Sequence, residues 1–418
     1  MTSFLFKNAL ILTMNHNNDI VRGNILVEND HIQHIGTDEI GCDEVIDASG
    51  MVIIPGLIDT HAHVAMTHLR GMLDDLHLDA FLEKTFSLDS ERTENGIFNS
   101  SLLGMYQMID AGITSFHDLY YDENVIERAA LQTGIRSFLS WVTLDPEYTT
   151  QSGDPVKNAE NFITGEKHET VGRSIGVQGI YVTSKETYDR VREIAEKYGT
   201  TIHTHLSETR KEVYDSVKKN GKRPIEYLHQ IGFLSSRVIA AHCVWSTMRE
   251  VRLLAGDGVK VSWNPVSNAK LGVGGMPPVP EMLQQGIHVS IGTDSASTNN
   301  SLDVMNDLKF GTIAMKNQRW DASLLGANRA IEMCTREAAL SLNRTDIGSI
   351  EEGKKADLVI LDNLRPDTLM KPDTLISDIV YSWSRSWVRS VMINGKFVKR
   401  DWKVKDFDPN YFLDCEFV

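Results

Sequence analysis

Residues 184–208 read SKETYDRVREIAEKYGTTIHTHLSE. The first part sets Val191, Ile194 and Ala195 on one face of a helix, and Gly199 marks its end. TIHTHLSE (201–208) then reads as a strand whose polar residues gather toward its C-terminal end. The same texture recurs along the chain. Further candidate strands are VIIPGLIDTHAHV (52–64), GITSFHDLY (112–120), IRSFLSWVTL (135–144), SIGVQGIYV (174–182), VIAAHCV (238–244), VKVSWNP (259–265) and HVSIGTDSAS (288–297), mostly separated by helix-compatible runs. Eight strands alternating with helices over about three hundred residues meet the requirement of a (β/α)₈ TIM barrel, an α/β fold.

Both ends of the chain look different. The first residues alternate apolar runs with Asn, Gly and Asp turns, and a similar pattern returns after residue 355, with a hairpin signal at Asn394–Gly395. Neither end holds enough strands for a stable sheet. The expectation is one small β-sandwich built from both termini: residues 1–56 and 356–418, around a barrel of residues 57–355.

With 41% hydrophobic and 24% charged residues, the composition is that of a globular protein with a full core. The formal net charge of −15, without a Lys/Arg stripe, argues against nucleic acid and anionic membranes as partners. The N-terminal stretch reads as a strand and not as a signal peptide. No apolar run has the length of a bilayer span. Cys42, Cys243, Cys334 and Cys415 are scattered, which suits free thiols in a reducing cytoplasm.

In a barrel of this kind the strands' C-terminal ends carry the active site. His61 and His63 close the first strand, His205 the fifth, His242 the sixth and Asp294 the eighth. Residues two apart in a strand share a face, so His61 and His63 can reach one ion. One His-x-His pair is weak evidence; a third histidine and an aspartate ending other strands make the set coherent. Imidazoles with one carboxylate suit a single divalent ion, Zn²⁺ first, then Fe²⁺ or Mn²⁺. His203 and His205 share a face too, but His205 is nearer the strand's end, where ligands gather. His205 is assigned to the metal and His203 to a hydrogen-bonded core role. Glu208 lies just beyond the strand and can lean over the ion.

The stretches PGLIDTHAHVAMTHLRG, HTHLSET, AAHCV, NPVSNAKLGVGGMPPV, IGTDSASTNNSLD and EEGKKADLVILD, in this order over nearly the whole chain, resemble the amidohydrolase superfamily. Within it the chain resembles the branch of S-adenosylhomocysteine/5′-methylthioadenosine deaminases and related chlorohydrolases. The resemblance implies a mononuclear site with ligands His61, His63, His205 and Asp294. It implies catalytic roles for Glu208 as proton donor, His242 as polarising group and Asp294 as base. The reaction implied is hydrolytic deamination of an amino-substituted heterocycle, a 5′-substituted adenosine above all, with release of ammonia. A chloro- or aminohydrolase of s-triazine-type rings and a free-base deaminase are the enzymatic alternatives, a non-catalytic metal-binding scaffold the remote one. Self-association into a homo-oligomer is a family-level expectation only.

Substrate-reading positions depart from the adenosine-type pattern. Phe81 stands for a tryptophan, Asp89 for a glutamate that clasps ribose hydroxyls, and Gln178 for a substrate-contacting histidine. The segment WVTLDPEYTTQSGDP (141–155) lacks the arginines found where an amino-acid tail is accepted, so poor activity on S-adenosylhomocysteine is expected. His68 and His117 are weaker pocket candidates. The run after the seventh strand, with Asn268 and Lys270 at its base, is either a connector or a substrate-covering loop.

Overall fold

The computed structural model describes residues 3–417. Eight parallel strands form one sheet in chain order, numbered here around the barrel. They are β1 (Leu57–Ala62), β2 (Ile113–Tyr120), β3 (Arg136–Thr143), β4 (Val171–Val177), β5 (Ile202–Leu206), β6 (Val238–His242), β7 (Lys260–Trp263) and β8 (Val289–Ile291). A bridge between Ala62 and Asp294 joins the last strand's end to the first, with the Asp294 N–H donating to the His61 carbonyl at 2.8 Å. The barrel closes at the level where two candidate ligands sit. Gly292 is needed at this seam: a Cβ there would lie 2.8 Å from that of His61, closer than side-chain carbons approach.

The helix–strand unit that opened the sequence forms as its pattern dictates. Ser184 caps the helix Lys185–Tyr198 by accepting from the Thr187 N–H, and Gly199 ends it in the left-handed region at φ 68°. Tyr188, Val191 and Ala195 face the barrel at spacings of three and four, with Thr187 beside them. The barrel base is plugged by apolar packing of Ile58, Ile239, Leu342 and Ile347, with Phe138 against them.

The termini form a separate nine-stranded mixed sheet. Its core brings together Phe4, Ile25, Ile53, Leu358 and Met392. Phe4 and Phe397 touch edge to face at 5.4 Å, although their strands, Ser3–Leu12 and Lys396–Arg400, stand four places apart in the sheet. Laid flat, four places would span about 19 Å. The sheet must therefore fold over on itself, as a sandwich does. Arg136, at the start of β3, ties barrel to sandwich by donating to both oxygens of Asp357, at 2.9 and 3.0 Å, in full burial. Removing either partner would strand a buried charge, at a cost of about 3–5 kcal/mol. Among the described residues no helix is long and apolar enough to cross a membrane.

Candidate active site

At the C-terminal mouth of the barrel lies a cavity of about 280 Å³, with His63, His205, His242, Glu208 and Asp294 in its lining. His61, His63 and His205 are buried, and their donor atoms all lie within 4.8 Å of one another; the same holds for His61, His242 and Asp294. The Nε2 atoms of His63 and His205 are 3.3 Å apart. Asp294 Oδ1 is 3.3 Å from His63 Nε2 and 3.7 Å from His61 Nε2.

Hydrogen bonding shows what these nitrogens offer. His63 donates from Nδ1 to the Leu119 carbonyl at 2.6 Å, and His205 from Nδ1 to the Gln178 carbonyl at 2.7 Å. In the neutral rings both Nε2 atoms are thereby bare lone pairs that cannot hydrogen-bond to each other; without a cation, the Asp294 carboxylate instead favours a proton on His63. His61 Nε2 is buried and has no partner. Burial also pushes the His205 imidazole down to about 3, which keeps the ring neutral. Lone pairs facing one point need a cation between them. Separations near 3.3 Å match the ~3.4 Å edges of a tetrahedron built on bonds of ~2.1 Å. The donor set therefore fits a divalent ion.

His242 is arranged differently. The amide nitrogens of Asn268 and Asn264 face its Nδ1 at 2.8 and 3.2 Å, so Nδ1 accepts and the ring proton sits on Nε2. That Nε2 lies 3.9 Å from Glu208 Oε2. Burial, with the nearby Asp294 charge, raises the Glu208 carboxyl to about 8. His242 and Asp294 hold left-handed backbone, φ 74° and 63°, at their strand ends, strain of the kind stored at working sites. Asp294 Oδ2 accepts from the Ser267 hydroxyl at 2.5 Å.

Three contributors were not singled out from the sequence. Glu212 accepts from the Ser207 and Glu208 N–H groups at 2.8 and 2.7 Å and fixes the loop that carries Glu208. The Thr209–Glu212 spacing is that of a capping box, a readable signal. Tyr120, at the end of β2, donates its hydroxyl to Asp89 Oδ1. Arg92 donates to Asp89 Oδ2 at 3.1 Å and lies over the Tyr121 ring at 4.2 Å. Arg92 stands three residues from Asp89, a readable ion-pair spacing, whereas no local pattern points to Tyr120.

The substrate-side candidates line the same cavity. Phe81 is buried on the helix Leu78–Asp89 and packs with Leu69, Leu73 and Leu271; Asp89 ends that helix. Gln178 follows β4 and donates from Nε2 to the Tyr181 hydroxyl at 3.1 Å. His68 and His117 lie outside the lining. His68 pairs with the Ser100 hydroxyl, and His117 sits inside the barrel against Ser140. Lys270 does not reach the cavity. It bonds Asp74 at 2.5 Å and Asn300 at 2.6 Å, and Asn300 bonds Asp74 in turn, so three loops are tied over the apolar cluster around Phe81. His203 is more than packing, since its Nε2 lies 2.9 Å from His61 Nδ1.

A closed eight-stranded barrel with an ion-ready histidine–aspartate cluster at its mouth is a hydrolase architecture. The chain belongs to the amidohydrolase family, whose pattern residues 52–398 match. It is 36% identical over 415 residues to a 5′-deoxyadenosine deaminase of Methanobrevibacter smithii, covering 97% of this chain and 94% of that one. It is also 36% identical over 399 residues to a 5-methylthioadenosine/S-adenosylhomocysteine deaminase of Archaeoglobus fulgidus, covering 94% and 92%. A zinc-bound adenosine deaminase from Xanthomonas campestris superposes with a TM-score of 0.93 at 26% identity, covering 98% and 96%.

Proposed function

We propose that this chain is a metal-dependent aminohydrolase that deaminates the adenine ring of nucleosides with a small, uncharged 5′ substituent. The observation that carries the reading is Glu208, a half-buried carboxyl raised to about 8 that leans over nitrogens whose lone pairs face one point. A proton donor poised beside an ion site is what hydrolysis of an aromatic amine demands. The names of the two curated relatives support the ring and the sugar.

His61, His63, His205 and Asp294 would hold the ion, Zn²⁺ before Fe²⁺ or Mn²⁺. When bound, such an ion acidifies a water and so supplies a nucleophile near neutral pH. Asp294 takes the proton of the attacking water, with its Oδ2 pinned by Ser267. Glu208 gives its proton to the ring nitrogen beside the amino-bearing carbon, so negative charge does not build on the ring. His242 directs Nε2–H toward the new oxygen. The C–N bond then breaks as the amino group takes the proton held by Asp294 and leaves as ammonia, and the proton remaining on the new hydroxyl returns to Glu208 as the carbonyl forms. Phe81 and Leu271 cover the ring, while Asp89 and Gln178 read the sugar side.

The 5′ preference follows from charge. The described lining contains no arginine, and its cation, Lys211, is paired with Asp215 at 2.7 Å. An α-carboxylate would meet Glu212 and Asp215 in place of a guanidinium fork.

The test is ammonia release by zinc-loaded and chelator-treated protein. The panel is 5′-deoxyadenosine, methylthioadenosine, adenosine, S-adenosylhomocysteine, adenine, guanine and an amino-triazine. The expected result is metal-dependent turnover of the uncharged nucleosides, with kcat/KM at least about tenfold above S-adenosylhomocysteine, one lost charge-assisted contact. Turnover of a free base or triazine alone would overturn the substrate, and silence across the panel would overturn the reading.

A further inference from the structure

The three histidines of the cluster are not anchored alike. His63 and His205 lean on backbone carbonyls, which move only with their strands. His61 leans on an imidazole, Nε2 of His203 at 2.9 Å. An imidazole must itself be aimed. The fully buried His203 ring stacks on His117, with centroids 3.9 Å apart and planes 24° apart. His117 Nε2 bonds the Ser140 hydroxyl at 2.7 Å, which bonds that of Ser174 at 2.6 Å. A polar tier thus crosses β1 to β5 one layer below the cluster, where barrel interiors are ordinarily filled by Val, Ile and Leu.

For packing alone this tier is a poor choice. Buried polar groups cost free energy unless paired; Nδ1 of His117 is buried without a partner, and that of His203 has at best the Asp118 backbone beside it. The arrangement makes sense through His61. To present a bare Nε2 to an ion, His61 must keep its proton on Nδ1, and His203 must therefore present an accepting Nε2. We infer that His203 is a positioning residue for His61, with His117, Ser140 and Ser174 stacked behind it, and that this tier sets the site's affinity for a divalent ion. The inference rests on the ion reading above and adds a control point that lies outside the donor set.

The test compares full-length wild type, His203→Gln and His203→Leu after metal removal. Zn²⁺ affinity is read by competition with a chromophoric chelator, and ligand geometry by the visible spectrum of the Co²⁺-loaded protein. Glutamine can place an accepting oxygen where Nε2 stands; leucine fills the volume and accepts nothing. His203→Leu should weaken Zn²⁺ binding about 10–100-fold and shift the Co²⁺ spectrum, while His203→Gln stays within about threefold of wild type. If His203→Leu fails to fold, His117→Phe, which keeps the stacked ring and drops the bond to Ser140, should still lose affinity severalfold. A pure packing role makes the opposite forecast, with leucine tolerated and glutamine impaired. That order, or equal affinity in all folded variants, overturns the inference. Wild type that binds neither ion would overturn the ion reading together with it.

Discussion

The floor of the cavity and its outer wall are built on different terms. The floor stands on strand ends: His63 and His205 are held by carbonyls, and Asp294 sits on the seam that closes the barrel. The wall stands on loops and a helix, held by side chains gripping side chains, as Tyr120 and Arg92 grip Asp89, or Lys270 and Asn300 grip Asp74. The difference suggests a division of labour. Chemistry needs atoms fixed to a fraction of an ångström, which strand ends supply, whereas substrate choice can be retuned on loops without disturbing them.

That division can be broken by measurement. At the boundary, on the short loop just past β5 that Glu212 pins to the floor, Glu208→Gln should lower kcat about 10²–10⁴-fold with the metal content unchanged. Its carboxyl is the donor only while protonated, so wild-type kcat should fall as pH rises through about 8, and the variant should lose that limb. An effect confined to KM would place Glu208 with the wall. On the wall, Asp89→Ala should raise KM for ribonucleosides roughly tenfold, the worth of a charge-assisted hydrogen bond, and leave kcat within a few-fold. A collapse of kcat would show that the wall takes part in the chemistry. Smallest of all, Asp74→Ala opens the tie between three loops and should raise KM about threefold, less so in high salt, as expected for a half-exposed ion pair. A salt-independent effect would mean that the tie acts through packing and not charge.

The same division explains what could be read in advance. The alternation of helix and strand, and polar residues crowding strand ends, follow from local periodicity, so the barrel and its His61, His63, His205, Asp294 cluster were legible. Height along β5 separated His205 from His203, yet the hydrogen bond between His61 and His203 joins residues 142 apart and leaves no local trace. Glu212 was legible in principle as the fourth residue of a capping box. The Asp89–Arg92 pair, three residues apart, was legible in principle too, whereas Tyr120 was not, because it reaches Asp89 only when the chain folds back over 31 residues. Phe81, Asp89 and Gln178 do reach one cavity, but what holds each in place is visible only in three dimensions.

The seam between the first and eighth strands also bears on how the chain is made. Thr293 bonds Asp59 across 234 residues, and Asp294 bonds the strand that bears His61. A growing chain on the ribosome displays its first histidines long before the carboxylate that completes the set has been synthesised. Pairings of such long range are slow to form, because a long loop must close before they stabilise anything. Until then the first strand has an open edge and the cluster lacks its acid. The four candidate ligands therefore come together only when the first and eighth strands meet, so an ion held by all four would report that the ring has closed.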